Sequence, residues 1–115
     1  MANLERTDVD GVTVLRLRGS LDRLELSAVE RSFREATHRA NAAVVLDLTN
    51  VDFLTTPAIS MFLDAARTLK GSGGRIVVSG SQPRVENVLR RLRLEVLLPC
   101  VGSVPEGMER VREGA

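Results

Sequence analysis

The chain has 115 residues, of which 43% are apolar and 27% charged, with a formal net charge of +1 at pH 7. That length supports one domain with a real core but not two, and the near-zero balance of charge gives no reason to expect a polyanionic partner such as nucleic acid. No run of about 18 apolar residues occurs, so direct insertion into a membrane is excluded for helices.

In chain order, Leu4 to Val9 alternates weakly, and Asp10-Gly11 is a strong hairpin turn signal. Val12 to Arg18 reads as a strand, which Gly19-Ser20-Leu21-Asp22 should break. Leu26, Val29, Phe33, Ala36 and Ala40 then recur at helical spacing, with the helix expected to begin near Leu24. Ala43 to Leu48 is a nearly continuous apolar strand, the pattern of a strand covered on both faces.

Pro57 to Lys70 predicts a second helix, with Ile59, Phe62, Ala66 and Leu69 in one apolar stripe and Ala58, Met61 and Ala65 beside it. Gly71-Ser72-Gly73-Gly74 ends it, and Arg75 to Ser79 is another buried strand. Pro83 opens a third helix through Val85, Val88, Leu89 and Leu92, and a short strand is expected near Val96-Leu97-Leu98. Ser103, Pro105 and Glu106 mark the start of a terminal helix, as a cap, a proline near the first turn and a Glu three positions on. This order predicts a single α/β domain over residues 1–115. Its mixed sheet has four to five strands, with about four helices packed mainly on one face.

Chemistry-bearing residues are few. His38 is the single histidine and has no accompanying nucleophile motif, so it reads as a solvated helix residue. Cys100 is the single cysteine, which excludes an internal disulfide, fits a reducing cytoplasm and reads as an inert thiol. One Cys and one His provide no zinc spacing. Asp22, Asp47 and Asp52 could meet near strand ends and hold Mg²⁺, but no metal or other cofactor is expected. Gly71 to Gly74 follows a helix and precedes a strand, the reverse of a phosphate loop, and reads as a helix C-cap. Fifteen of the sixteen basic residues are Arg, spread along the chain, with Arg90-Arg91-Leu92-Arg93 the one cluster. The three aromatics are all Phe, so base-stacking platforms are nearly absent. The polar N-terminus has no apolar signal core, and a cytoplasmic location is expected. No catalytic residue is assigned.

The junction Thr55-Thr56-Pro57 is what remains. Thr56 is placed as an N-cap, held extended by Pro57, which then sits at the first helical position.

Several segments resemble the STAS domain family of anti-sigma factor antagonists. Gly19-Ser20-Leu21-Asp22 is similar to its G-x-L-D turn. Val45 to Leu48 followed by Val51 to Leu54 is similar to its D-L-S-x-V-x-F-M segment, and Gly73 to Val78 and the helix from Ser81 to Leu92 also fit. The resemblance covers essentially the whole chain. In that family the next segment commonly reads D-S-S-G-L-G, whose first Ser accepts phosphate from a kinase that is also an anti-sigma factor. Thr56 falls on that acceptor position. Thr55 replaces the preceding Asp, Pro57 the following Ser, and Ala58 and Ser60 stand where glycines allow close approach of a partner.

The resemblance therefore implies a non-enzymatic protein-binding switch that sequesters a kinase-type anti-sigma factor, with Thr56 the phosphoacceptor candidate. It implies a contact surface of Asp22, Arg23, Thr55, Thr56, Ala58 and Ile59. Two alternatives stay open: a STAS subunit of a lipid-transporting ABC complex, which would bind the ATPase and need no phosphate, and a small nucleotide-binding protein.

Overall fold

The computed structural model describes residues 3–113, and the side chains of all of these except 23, 24 and 113. A hairpin begins the chain. β1 (Asn3–Val9) and β2 (Val12–Leu21) are antiparallel, with Val9 opposite Val12. Between them Asp10 and Gly11 both have positive φ, 50° and 81°, the backbone a two-residue turn needs to match strand twist. Then follow α1 (Arg23–Thr37), β3 (Ala43–Leu54), α2 (Thr56–Gly71), β4 (Arg75–Ser79), α3 (Pro83–Arg91), β5 (Cys100–Val101) and α4 (Val104–Glu113). The five strands lie in the order β1-β2-β3-β4-β5, and every pair after the first is parallel. The sheet is therefore mixed, as the sequence implies.

Side chains alternate across it. Leu15, Leu17, Val44, Leu46, Leu48, Ile76 and Val78 face the larger core, where they meet Leu26, Val29 and Phe33 of α1, Phe62 and Leu69 of α2, and Val85 and Leu89 of α3. The Phe33 and Phe62 rings lie 5.6 Å apart, tilted by 45°, and join α1 to α2. Val12, Val14, Val45 and Val77 face the other way, onto Val111 and Met108 of α4. Gly107 allows that helix to lie close, because a Cβ there would sit 2.9 Å from the Val45 methyl. Three helices cover one face and α4 the other.

Four boundaries differ from the sequence reading. α1 ends at Thr37 with His38 as its C-cap, so Ala40 lies beyond the helix in the turn to β3. Gly19 does not break β2: with φ 91° it forms an irregularity, and the strand continues in shifted register to Leu21. β3 runs on to Leu54, well past Leu48. The segment 96–98 is no strand. Arg93 adopts a left-handed φ of 56°, Leu94–Val96 forms one 3-10 turn, and the N–H groups of Leu97 and Leu98 both donate to the Leu94 carbonyl. An apolar run alone does not distinguish a strand from a buried turn, and the strand comes later, at Cys100.

Candidate functional site

The site is built by two strand ends. Leu21 of β2 stands opposite Leu54 of β3 in the parallel register, so the helices that follow them start side by side. Asp22 caps α1 from an extended conformation, its carboxylate accepting from the Glu25 N–H at 2.9 Å. Thr55 caps α2 in the same way, its hydroxyl oxygen accepting from the Ala58 N–H at 3.4 Å. The Thr55 hydroxyl also donates to the Leu21 carbonyl, the residue just before Asp22. One side chain thus satisfies a helix N-terminus and ties it to the neighbouring strand end.

This corrects the placement of the cap. Thr56 is the first residue of α2, and Pro57 the second. A cap at Thr56 would need the Ile59 N–H, but that group donates to the Thr55 carbonyl at 3.0 Å, closing the first helical turn one residue earlier. Thr55 wins because its hydroxyl has two partners. Pro57 fits at the second position equally well, since its missing N–H falls among groups with no intrahelical acceptor. Thr56 is released from any capping duty and is exposed.

Ala58, expected on the contact surface, is fully buried. The buried stripe of α2 is Ala58, Met61, Phe62, Ala65, Ala66 and Leu69, which at 3.6 residues per turn puts Ala58 over Phe62 and rotates Ile59 to a half-buried flank. Asp22, Thr55, Thr56 and Ile59 are the expected residues that emerge around the two helix starts. Arg23 opens α1, and its side chain lies outside the described residues. Below Pro57 the two helices leave a groove of about 380 Å³, lined by Leu26 and Glu30 of α1 and by Ser60 and Met61 of α2 among others.

The electrostatics of the two starts differ. α1 carries Asp22 at its cap and Glu25 in its first turn, whereas α2 has a neutral cap and no acidic residue in its first turn. Each helix N-terminus carries about half a positive charge. At α2 nothing in the first turn offsets it.

Other candidates resolve into structural roles. His38 is the exposed C-cap of α1, its N–H donating to the Arg34 carbonyl at 2.8 Å. Asp47 is held by Arg16 at 3.4 Å and by the Thr49 N–H at 3.0 Å, and no group of three metal-ligating side chains converges among the described residues. Gly74 N–H returns to the Leu69 carbonyl at 2.7 Å, so the glycine segment closes α2 as a C-cap. Burial pushes the Cys100 thiol above its ordinary pKa, with Glu86 and Glu95 adding to the effect, which keeps it protonated at neutral pH. No helix is long and apolar enough to cross a membrane among the described residues.

The sequence reading overlooked the bridge through Thr55. Its signal was present as Thr55 three positions before Ala58, the spacing of a cap to its third helical N–H. Its second partner, 34 positions away, carried none.

The chain has relatives. Residues 5–99 match the family model described as "Mlab, STAS domain". An anti-sigma F factor antagonist from Paenibacillus polymyxa is 28% identical over 90 residues, which is 77% of each chain. Among solved structures, an anti-sigma factor antagonist from Mycobacterium paratuberculosis superposes with a TM-score of 0.83 at 22% identity, covering 97% of this chain and 95% of that one. An anti-sigma-factor antagonist (STAS) domain protein from Planctomyces limnophilus gives 0.85 at 19% identity, with coverage of 95% and 97%. At these identities the structural likeness is one of fold.

Proposed function

The chain belongs to the STAS domain family, and we propose that it acts as an anti-sigma factor antagonist. In this reading it is a protein-binding switch that sequesters a kinase-type anti-sigma factor and catalyses nothing itself. The observation that carries the reading is the exposed Thr56 hydroxyl, free of capping duty, on the first residue of α2 beside the capped start of α1. The contact surface comprises Asp22, Arg23, Thr55, Thr56 and Ile59. Ala58 belongs to the core beneath it.

The switch works through charge. Phosphate on Thr56 adds about −1.5 to −2 charges. The α2 N-terminus tolerates an anion, because its first turn holds no acid. It does not absorb the anion, since Pro57 has no N–H and Thr55 already takes that of Ala58. The phosphate therefore faces outward. A partner surface matched to a neutral hydroxyl meets an unpaired buried charge, and the complex dissociates with little change in fold.

Calorimetry with the kinase-type anti-sigma factors of the same genome tests this, together with intact-mass measurement after incubation with kinase and ATP. Wild type and Thr56→Ala should bind, Thr56→Glu should bind weakly, and Thr56→Ala should gain no phosphate. Equal binding by wild type and Thr56→Glu would refute the surface. Phosphate gained equally by Thr56→Ala would move the acceptor, with Thr55 next. A second reading is a STAS subunit that binds the ATPase of a lipid-transporting ABC complex. It draws support from Pro57, which strips a donor from the acceptor turn. An ATPase that binds wild type and Thr56→Glu alike, with no anti-sigma factor binding, would favour it.

A further inference from the structure

The outer edge of β4 is only half covered. The Arg75 N–H donates to the Ala42 carbonyl at 2.8 Å, toward β3, whereas the N–H groups of Val78 and Gly80 donate outward to the carbonyls of Pro99 and Val101, at 2.8 and 3.1 Å. The same alternation turns the N–H and C=O of Ile76 to the outer edge. β5 does not reach them, because it pairs only with Val78 and Ser79. Pro99 has no N–H to offer, and the chain before it folds back onto the Leu94 carbonyl.

That open edge lies in a slot of about 440 Å³ that wraps around the sheet from α2 to α4. Ala66, Leu97 and Val111 form apolar walls, and Val96 stands at the mouth with 81% of its surface exposed. Lys70, Arg75 and Arg110 also line the slot, and no acidic residue does. Arg6, Arg16, Arg31, Arg34, Arg90 and Arg112 each have a carboxylate partner. None of the three slot cations has one among the described residues.

We propose that this slot binds an extended acidic peptide segment of another protein, added beside β4 as a short strand ahead of β5. The unmatched backbone pair of Ile76 calls for another backbone. Three unpaired cations call for carboxylates, and the apolar walls suit aliphatic side chains at alternate positions. A small anion or an anionic lipid satisfies the cations but leaves the strand edge unmatched. A second copy of this chain would bring like charges together. The proposal stands apart from the Thr56 reading: the slot flanks the start of β4, while Thr56 follows the far end of β3.

The probe is a fluorescein-labelled, amidated hexapeptide alternating Asp and Val, titrated into the full chain by anisotropy, with amide exchange followed by NMR. Saturable binding that weakens with salt, and slowed exchange at the Ile76 amide, are expected. Arg75→Glu and Arg110→Glu, both at exposed positions, should each weaken binding about tenfold with an unchanged thermal midpoint. A backbone N-methylated peptide of the same charge should bind about tenfold more weakly or worse. The proposal is overturned by absence of saturable binding, by equal binding of the N-methylated peptide or of one with Lys in place of Asp, or by unchanged exchange at Ile76. Phosphatidylglycerol vesicles protecting Ile76 where the peptide does not, or self-association that buries this edge, would overturn it equally. None of these outcomes depends on whether Thr56 is a switch.

Discussion

The N-termini of α1 and α2 begin from paired strand ends and yet are finished differently. At α1 a carboxylate caps the helix and a second acid stands in the first turn. At α2 the cap is a hydroxyl, the first turn is free of acid, and a second hydroxyl is exposed. A helix N-terminus attracts negative charge wherever it occurs. At α1 that attraction is met by the chain's own acids, so the end is structurally complete. At α2 it is left open beside a residue that chemistry can modify. Under the proposed function, that difference is what would let a charge added at Thr56 be tolerated by the fold and still felt by a partner.

The Phe33–Phe62 contact joins α1 to α2, and the largest expected effect comes from removing it. Phe62→Ala empties the fully buried place opposite Phe33 and should cost about 3–5 kcal/mol in chemical denaturation. A loss below about 1 kcal/mol would show that the helix starts are held by their caps instead.

Thr55→Val comes next. It removes the Ala58 cap and leaves the Leu21 carbonyl without its donor, which should destabilise by about 2 kcal/mol in the same assay. Asp22→Ala, losing one cap bond, should cost about 1 kcal/mol, with Asp22→Asn recovering most of it. If Asp22→Ala cost more than Thr55→Val, the bridging role of Thr55 would be mistaken. The smallest effect is also the most direct test of the asymmetry. Thr56→Glu should raise stability by about 0.3–1 kcal/mol at low salt, and the gain should shrink as salt is added. A destabilised variant would mean that α2 already has its charge offset from outside its first turn.

Much of this molecule was legible in the linear chain. The Asp10-Gly11 hairpin, the apolar run of β3, the spacing of Leu26, Val29 and Phe33, and the cap at Ser103 are signals contained within one element. Backbone geometry reads such signals locally, through turn conformation, helical period and N–H satisfaction. That the turn at Asp22 and the start of α2 border one surface was implied by the family resemblance alone, and Thr56 could be marked as a hydroxyl after a strand and before a helix.

The tertiary structure decided which of two adjacent threonines became the cap. Either hydroxyl matches the local rule, and the choice fell to Thr55 because the Leu21 carbonyl, 34 positions away, accepts from it. It decided likewise that Ala58 rather than Ile59 leads the buried stripe, since the rotation of a helix is set by the sheet it packs on. It placed the last strand at Cys100, because residues 94–98 close a turn of their own and leave the start of β4 without a strand on its outer edge. In each case the local pattern admitted two solutions, and for the cap and the helix rotation a contact distant in sequence separated them.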